Sequence, residues 1–431
     1  MKKSASLVAA LLLALTAIPS AEAAFVIGGE NGWQFSTDGF LNVFGVYESI
    51  ERHPNGVTGG QLGGDQTGTG EAQQQFRVRT GLLPVGVGFN IKAPTTKGVD
   101  YAVRLGLYPQ IQNNGGSRTD ISPNIDFREI NITADGKFGQ VLAGRAINLY
   151  QAKNILTDMT LFSVGVVGPV NSGPTMGHIG YGYLYPNFGA QFRYTTPDLN
   201  GVKVAFSVND TNDVGGATVR NVPRFESEIS YATAFTGGKM QTWVSGLYQT
   251  ASFSSTDANR PGGHATSLGG AAGVELGLGG LDLLVSGYGG QALGMLGMQG
   301  GDATDAVGKE RKNWGFLTQA TYMLTPELKV GVNYGQSNAV ESDQDQLERT
   351  TGVTTPAHFI FDTSTGGSTL VPAATTRTAH IRTQQAAVGA LTYNLNKFTQ
   401  IIAEYTWAQD KWFDGQKQNA NIVALGTFFY W

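Results

Sequence analysis

Arg77 and Arg79 stand two residues apart in "FRVR", so an extended chain turns both guanidiniums to one side. Phe76 and Val78, followed by Thr80 and Leu82, then take the other side. Arg104 sits in a similar pattern: Val99, Tyr101, Val103, Leu105 and Leu107 alternate with Asp100, Ala102, Arg104, Gly106 and Tyr108. Permanent cations in fixed positions do no covalent chemistry. They select by charge where low-dielectric walls focus their field. Lys203, Lys329 and Glu404 hold similar alternating positions, the two lysines beside short turns where solvation at a rim is their simplest role.

Groups for covalent or metal chemistry are sparse. Cysteine is absent, which removes thiolate nucleophiles, thiolate metal sites and disulfides. The five histidines, His53, His178, His264, His358 and His380, fall in or beside expected loops without metal-ligand spacing, and read as solvated surface groups. "GDATDAVGKE" (301–310) lacks the GxxxxGK[ST] spacing of a phosphate loop and ends on Glu310. No nucleophile elbow is present. The chain is therefore not expected to be an enzyme or to carry a cofactor. Its net charge of −4 gives no reason to expect nucleic acid.

What positions the arginines is a long series of alternating segments, the pattern of strands with one apolar face. They fall near 33–49, 75–92, 99–112, 124–135, 138–149, 178–195, 202–210, 224–235, 239–253, 266–278, 281–293, 313–324, 328–337, 381–395, 398–410 and 420–431. Many run to ten residues or more, whereas soluble strands average about five or six and tilted membrane strands need about 9–11. Tyr181, Tyr183 and Tyr185 share a face in this pattern and suggest an aromatic girdle or a subunit contact. Short turns such as "DGK" (135–137), "TGG" (236–238) and "NK" (396–397) take turns with long polar stretches at 50–74, 113–123, 150–177, 211–223, 254–265, 294–312, 338–380 and 411–419. A soluble sandwich has no reason to sort its connections by length. Barrels of the outer membrane do, with short turns on one side and long loops on the other.

Composition agrees. Only 14% of the 431 residues are charged and 41% are hydrophobic, too polar for a bundle of membrane helices. Residues 1–23 have the layout of an export signal: Lys2 and Lys3, an apolar run over 7–18, and "AEA" at 21–23. Its removal leaves a mature region 24–431 with 27 basic and 32 acidic residues, a net charge of −5. The expected fold is all-β: a transmembrane antiparallel β-barrel of about 16 strands. In the final run "NIVALGTFFYW", Val423, Leu425, Thr427, Phe429 and Trp431 form an apolar outer stripe suited to a strand that closes such a barrel.

Several stretches resemble the trimeric general porins of Gram-negative outer membranes. "FREINITADGKFGQVLAGR" (127–145) is similar to that family's Arg-containing strand, G-x-FG turn and strand ending in Gly-Arg. "YTTPDLNGVKVAF" (194–206) resembles its Tyr-x-x-Pro-x-x-x-Gly turn. "YNLNKFTQIIAEY" (393–405) is similar to its turn before the penultimate strand, with Asn396 in place of Ser. "DGFLNVFGVYES" (38–49) and the aromatic end also fit.

The resemblance implies a homotrimer in outer-membrane lipid that passes small hydrophilic solutes and ions by passive diffusion. It also implies a third external loop, here 150–177, folded inward to narrow the passage. Arg128 and Arg145 join Arg77, Arg79 and Arg104 as constriction residues through this match, and Asp158 is the one acid on the inserted stretch. The family carries several loop acids. One acid and one base, Lys153, imply a weaker transverse field and a mild preference for anions. The competing expectations are a substrate-selective channel on the same barrel, and a barrel that serves as a surface interaction partner or as a sheath for an electron-transfer protein.

Overall fold

The computed structural model describes residues 25–63, 73–112, 125–169, 173–297, 299–355, 358–361, 368–371 and 373–431. The expected signal at 1–23 lies outside them. Sixteen antiparallel strands form the wall. The first is β1, Gln34–Ile50, and the second, β2, comes in two pieces, Gln73–Arg79 and Gly86–Lys92. There follow β3 Asp100–Pro109, β4 Ile125–Gly136, β5 Gly139–Ile147, β6 Phe188–Thr195, β7 Val202–Asn209 and β8 Arg224–Phe235. The second half comprises β9 Gly238–Ser252, β10 His264–Leu278, β11 Leu281–Gln291, β12 Lys312–Met323 and β13 Leu328–Val340. It ends with β14 Ala379–Asn396, β15 Thr399–Trp412 and β16 Lys417–Tyr430. Each strand pairs with the next, and β1 pairs with β16 from Phe40–Tyr430 to Ile50–Ala420, so the sheet closes without a free edge.

Period-two alternation decides which side each residue faces. On β15, Ile401 and Tyr405 are exposed, while the alternate residues Ile402, Glu404 and Thr406 are buried. On β16, Val423, Leu425 and Phe429 are exposed together, with Trp431 just beyond its end. Exposed apolar side chains on this scale, repeated around the wall, make an outer surface that is stable only against hydrocarbon.

Two expected strands differ. β2 breaks at residues 80–85, so the outer stripe of Phe76 and Val78 stops there, and Thr80 and Leu82 turn inward and are buried. Pro84 offers no N–H to a ladder, and the backbone around the break bonds elsewhere: Leu82 N–H donates to Ser163 O (2.8 Å) and Thr175 N–H to Gly81 O (3.0 Å). The strand expected from 178 begins only at Phe188. Gly180 and Gly182, with φ of +79° and +153°, end the extended run, and Tyr181 and Tyr183 are fully buried inside the barrel rather than forming an outer girdle.

Residues 148–169 and 173–187 thus belong to a long inward excursion. It holds α1, Ala152–Thr157, and a 3-10 turn, Met159–Phe162. Ile155, Leu161, Val166, Met176, Ile179, Tyr181 and Tyr183 pack on inward residues from β9 round to β16: Trp243, Leu284, Leu317, Ala386, Ala408 and Ala420. The barrel's apolar core is therefore the seam between this loop and the wall behind it.

Candidate channel lining

Two groups of charges occupy the interior, and the inserted loop separates them. One lies on the wall formed by β1 to β8. Arg79 is fully buried, and its Nη2 donates to Gly173 O at 2.6 Å in the returning limb of the loop. Its Nε and Nη1 have no hydrogen-bond partner among the described residues. Arg77 lies one inward position above it, half-buried, and both arginines are close to Glu48 on β1, which accepts a hydrogen bond from Gln75.

Arg104 is held in a fork. Nη1 lies 2.8 Å from Asp38 Oδ2 on β1, Nε lies 2.8 Å from Glu129 Oε2 on β4, and Asn90 Oδ1 accepts at 3.0 Å. The Tyr108 hydroxyl also donates to Glu129. Two carboxylates more than neutralise one guanidinium, so Arg104 organises the wall and adds no net positive charge to the lumen.

Arg128 faces inward for a reason that alternation hides. The β3–β4 register shifts beside Gly106, leaving Arg128 unpaired between Phe127 and Glu129. A bulge of this kind turns consecutive residues to one side. Phe127 and Ile130 are exposed, whereas Arg128 and Glu129 between them are buried. Arg128 pairs with Asp126 at 2.8 Å and lies over the rings of Tyr108 and Phe188, 5.4 and 5.6 Å from their centroids. Arg145 is half-buried on the rung of Ile130 and Ala190, both exposed on the outer face, and makes no ion pair among the described residues.

The second group lies under the loop. Asp158 is 2% exposed and caps the turn that follows it. It accepts from Thr160 N–H (3.0 Å), the Thr160 hydroxyl, the Tyr183 hydroxyl (2.7 Å) and Asn333 Nδ2 on β13 (3.0 Å), with His178 Nδ1 at 3.6 Å. Burial would raise its pKa, but His178 and Thr160 outweigh that and hold it below the ordinary carboxylate range. It is a fastener between loop and wall, not a charge offered to passing ions. His178, expected in water, is fully buried as its partner.

Three wall carboxylates repeat this arrangement. Glu404 on β15 accepts from the Ser163 hydroxyl and from Gly165 N–H at 2.7 Å. Asp410 on the same strand accepts from Gln61 N–H (2.6 Å), Leu62 N–H (3.2 Å) and the Tyr181 hydroxyl (2.8 Å). Glu226 on β8 accepts from the N–H groups of Leu149 (2.7 Å) and Tyr150 (3.1 Å) and lies 3.1 Å from Arg224 Nε. Each satisfies loop backbone that would otherwise be buried without partners. Of these, sequence alternation found only Glu404 as an inward group. The clue to Asp410 was the set of inward alanines, Ala386, Ala408, Ala420 and Ala424, on β14–β16, which suits a covered wall and not one facing water; Glu226 on β8 lies outside it.

Half-buried cations remain on the uncovered side. Arg193 on β6 and Lys153 on α1 are both within electrostatic reach of Glu228 on β8. Sequence reasoning named Lys153 as the one base on the inserted stretch but missed Arg193. Lys203 is half-buried and inward near the short-turn end, as is Lys329.

The family model for Gram-negative porins matches residues 7–428. Among solved structures, the outer membrane channel DcaP of Acinetobacter baumannii superposes with a TM-score of 0.65 at 14% identity, covering 94% of this chain and 100% of that one. An anion-selective porin from Comamonas acidovorans gives 0.58 at 13% identity, with coverage of 93% and 100%. OmpT of Vibrio cholerae, described in a trimer form, gives 0.51 at 11%, with coverage of 93% and 100%. No curated protein sequence matches the chain.

Proposed function

The chain belongs to the Gram-negative porin family, and from that premise we propose how its channel treats charge. As a porin it is a multi-pass β-barrel of the Gram-negative outer membrane, in contact with lipid on its outside, and passes small hydrophilic solutes by passive diffusion without catalysing a reaction. The finer reading is a mild preference for anions. The observation that carries it is the unequal use of the two signs. Asp158, Glu404, Asp410 and Glu226 are buried and occupied with loop donors, whereas Arg77, Arg193 and Lys153 keep part of their surface on the water side. Arg79 adds positive potential from behind, while Arg128 is paired with Asp126 and Arg104 is outweighed by Asp38 and Glu129. Local charge at the narrow zone outweighs the −4 of the whole chain, most of which is remote.

The same reading has the first 23 residues removed on export and three copies assembling in the membrane. Planar-bilayer recording across a KCl gradient tests it. The expected reversal potential carries the sign of chloride preference, with closures in steps of three. A reversal potential of potassium sign sinks the charge assignment and leaves the family membership untouched.

A further inference from the structure

Outside the barrel, the stretch between β13 and β14 carries α2, Asp343–Thr350, opened by a capping box between Ser342 and Asp345. Asp345 and Glu348 lie three residues apart on α2 and so share a face. His380, the second residue of β14, meets that face. Its Nε2 is 3.3 Å from Asp345 Oδ1 and 3.4 Å from Glu348 Oε2, and the three ligand atoms all lie within 4.8 Å of one another. Side-chain exposure is 20% for His380, 12% for Glu348 and 2% for Asp345, so the cluster opens to water on one side.

These separations are long for hydrogen bonds between an imidazole and carboxylates, which close to about 2.7–2.9 Å when charge-assisted. They match something else. Ligands bound about 2.0–2.1 Å from a tetrahedral ion stand about 3.3–3.4 Å apart. Neighbouring side chains fix the direction of all three. Gln344 Nε2 donates to Glu348 Oε1 at 2.9 Å, and Arg311 grips both Asp345 oxygens, the ligand atom Oδ1 included, Nε to Oδ2 at 2.8 Å and Nη2 to Oδ1 at 2.6 Å, while Nη2 also lies 3.3 and 3.4 Å from His380 Nδ1 and Nε2. That leaves the outer lone pairs of Asp345 Oδ1 and Glu348 Oε2 converging with His380 Nε2.

We propose that Asp345, Glu348 and His380 form a site for a divalent transition cation of the Zn2+ type, which clamps the long external stretch to the barrel rim. One imidazole and two carboxylates suit a borderline ion better than Mg2+ or Ca2+, which take oxygen shells of six or more. A fourth position is left to water. Arg311 offsets one of the two negative charges, so affinity is moderate and the ion comes and goes with its concentration outside the cell. The two ligands on α2 and the one on β14 are joined by 31 residues of chain from Glu348 to His380, and the ion closes that loop at its base.

The test is calorimetry of the full-length mature protein in detergent, titrated with ZnCl2 and, separately, MgCl2. The expected result is one Zn2+ per chain, no Mg2+ binding in the same range, and affinity at least about tenfold weaker in His380→Ala. Glu348→Gln keeps the volume and the Gln344 neighbour, so it carries the test if His380→Ala does not fold. X-ray absorption at the zinc edge should report a single imidazole with oxygen ligands. Absence of zinc binding, equal affinity in both variants, or a shell of several imidazoles overturns the proposal. None of these outcomes bears on the channel.

Discussion

Gly39 and Trp431 exchange backbone hydrogen bonds, Gly39 N–H to Trp431 O at 3.2 Å and Trp431 N–H to Gly39 O at 3.1 Å. This reciprocal pair extends the β1–β16 seam past Phe40–Tyr430 and ties the barrel shut at the edge of the membrane. The indole then folds over the glycine. A Cβ on Gly39 would meet the Trp431 ring at 2.3 Å and Gly86 O at 2.5 Å.

Gly39→Val should therefore push the indole off the seam and strain β2 behind it. Overpacking of this kind costs about 1–3 kcal/mol. The readout is the temperature at which the folded band on an unheated gel gives way to the unfolded one. A clear fall is expected. An unchanged temperature would mean that the last residue is not seated on Gly39.

Much of this architecture was legible in the sequence because the membrane enforces alternation along every strand. Val423, Leu425, Phe429 and Trp431 face outward as the pattern required, and the short and long connections alternate as expected except at the last, where the stretch expected over 411–419 shrinks to four residues between Trp412 and Lys417 because β15 and β16 run on into it. What stayed hidden belongs to contacts between segments far apart in the chain. Alternation cannot register the bulge that turns Arg128 and Glu129 the same way, nor the break at 80–85, which arises where the inserted loop bonds Gly81 and Leu82. Asp158 stood out as the lone loop acid, but its type says nothing about which side of the loop it faces. Its four donors come partly from Tyr183 and Asn333, 25 and 175 residues away. His380 gave no signal either, since Asp345 and Glu348 reach it only through the fold.

Removing the Glu404 carboxylate should loosen the loop without unfolding the barrel. Glu404→Ala leaves the Ser163 hydroxyl and Gly165 N–H without their acceptor, at a cost of about 1–3 kcal/mol per buried group. The wall ladder of β15 does not depend on that side chain. Single-channel recording should show a larger and noisier unit conductance while the folded gel band persists. Conductance identical to the parent protein would show that the loop is held elsewhere.

Arg104→Gln removes one cation that two acids share. Asp38, about a third exposed, and Glu129 then face the lumen without a counter-charge. Reversal potential should move toward potassium preference, and the shift should shrink at high salt as screening shortens the field's reach. Asp38→Asn should move it the opposite way. A shared direction for both variants would place the fork outside the permeation path.

Acid sensitivity offers a direct check on the Asp158 fastener. Its folded pKa is lowered, so its ionised contacts stabilise the protein above the unfolded value of about 3.8 and are lost as pH falls through the lower, folded value. Asp158→Asn keeps the shape but gives up the charge that His178 and the Thr160 donors favour. The variant should melt below the parent at pH 6–7, and the gap should close progressively under pH 4 as the parent's own carboxyl takes up a proton. The measurement is the difference in melting temperature across that range. A gap that stays constant down to pH 3 would mean that Asp158 contributes through shape and packing alone, and that the charge beneath the loop does nothing to hold it down.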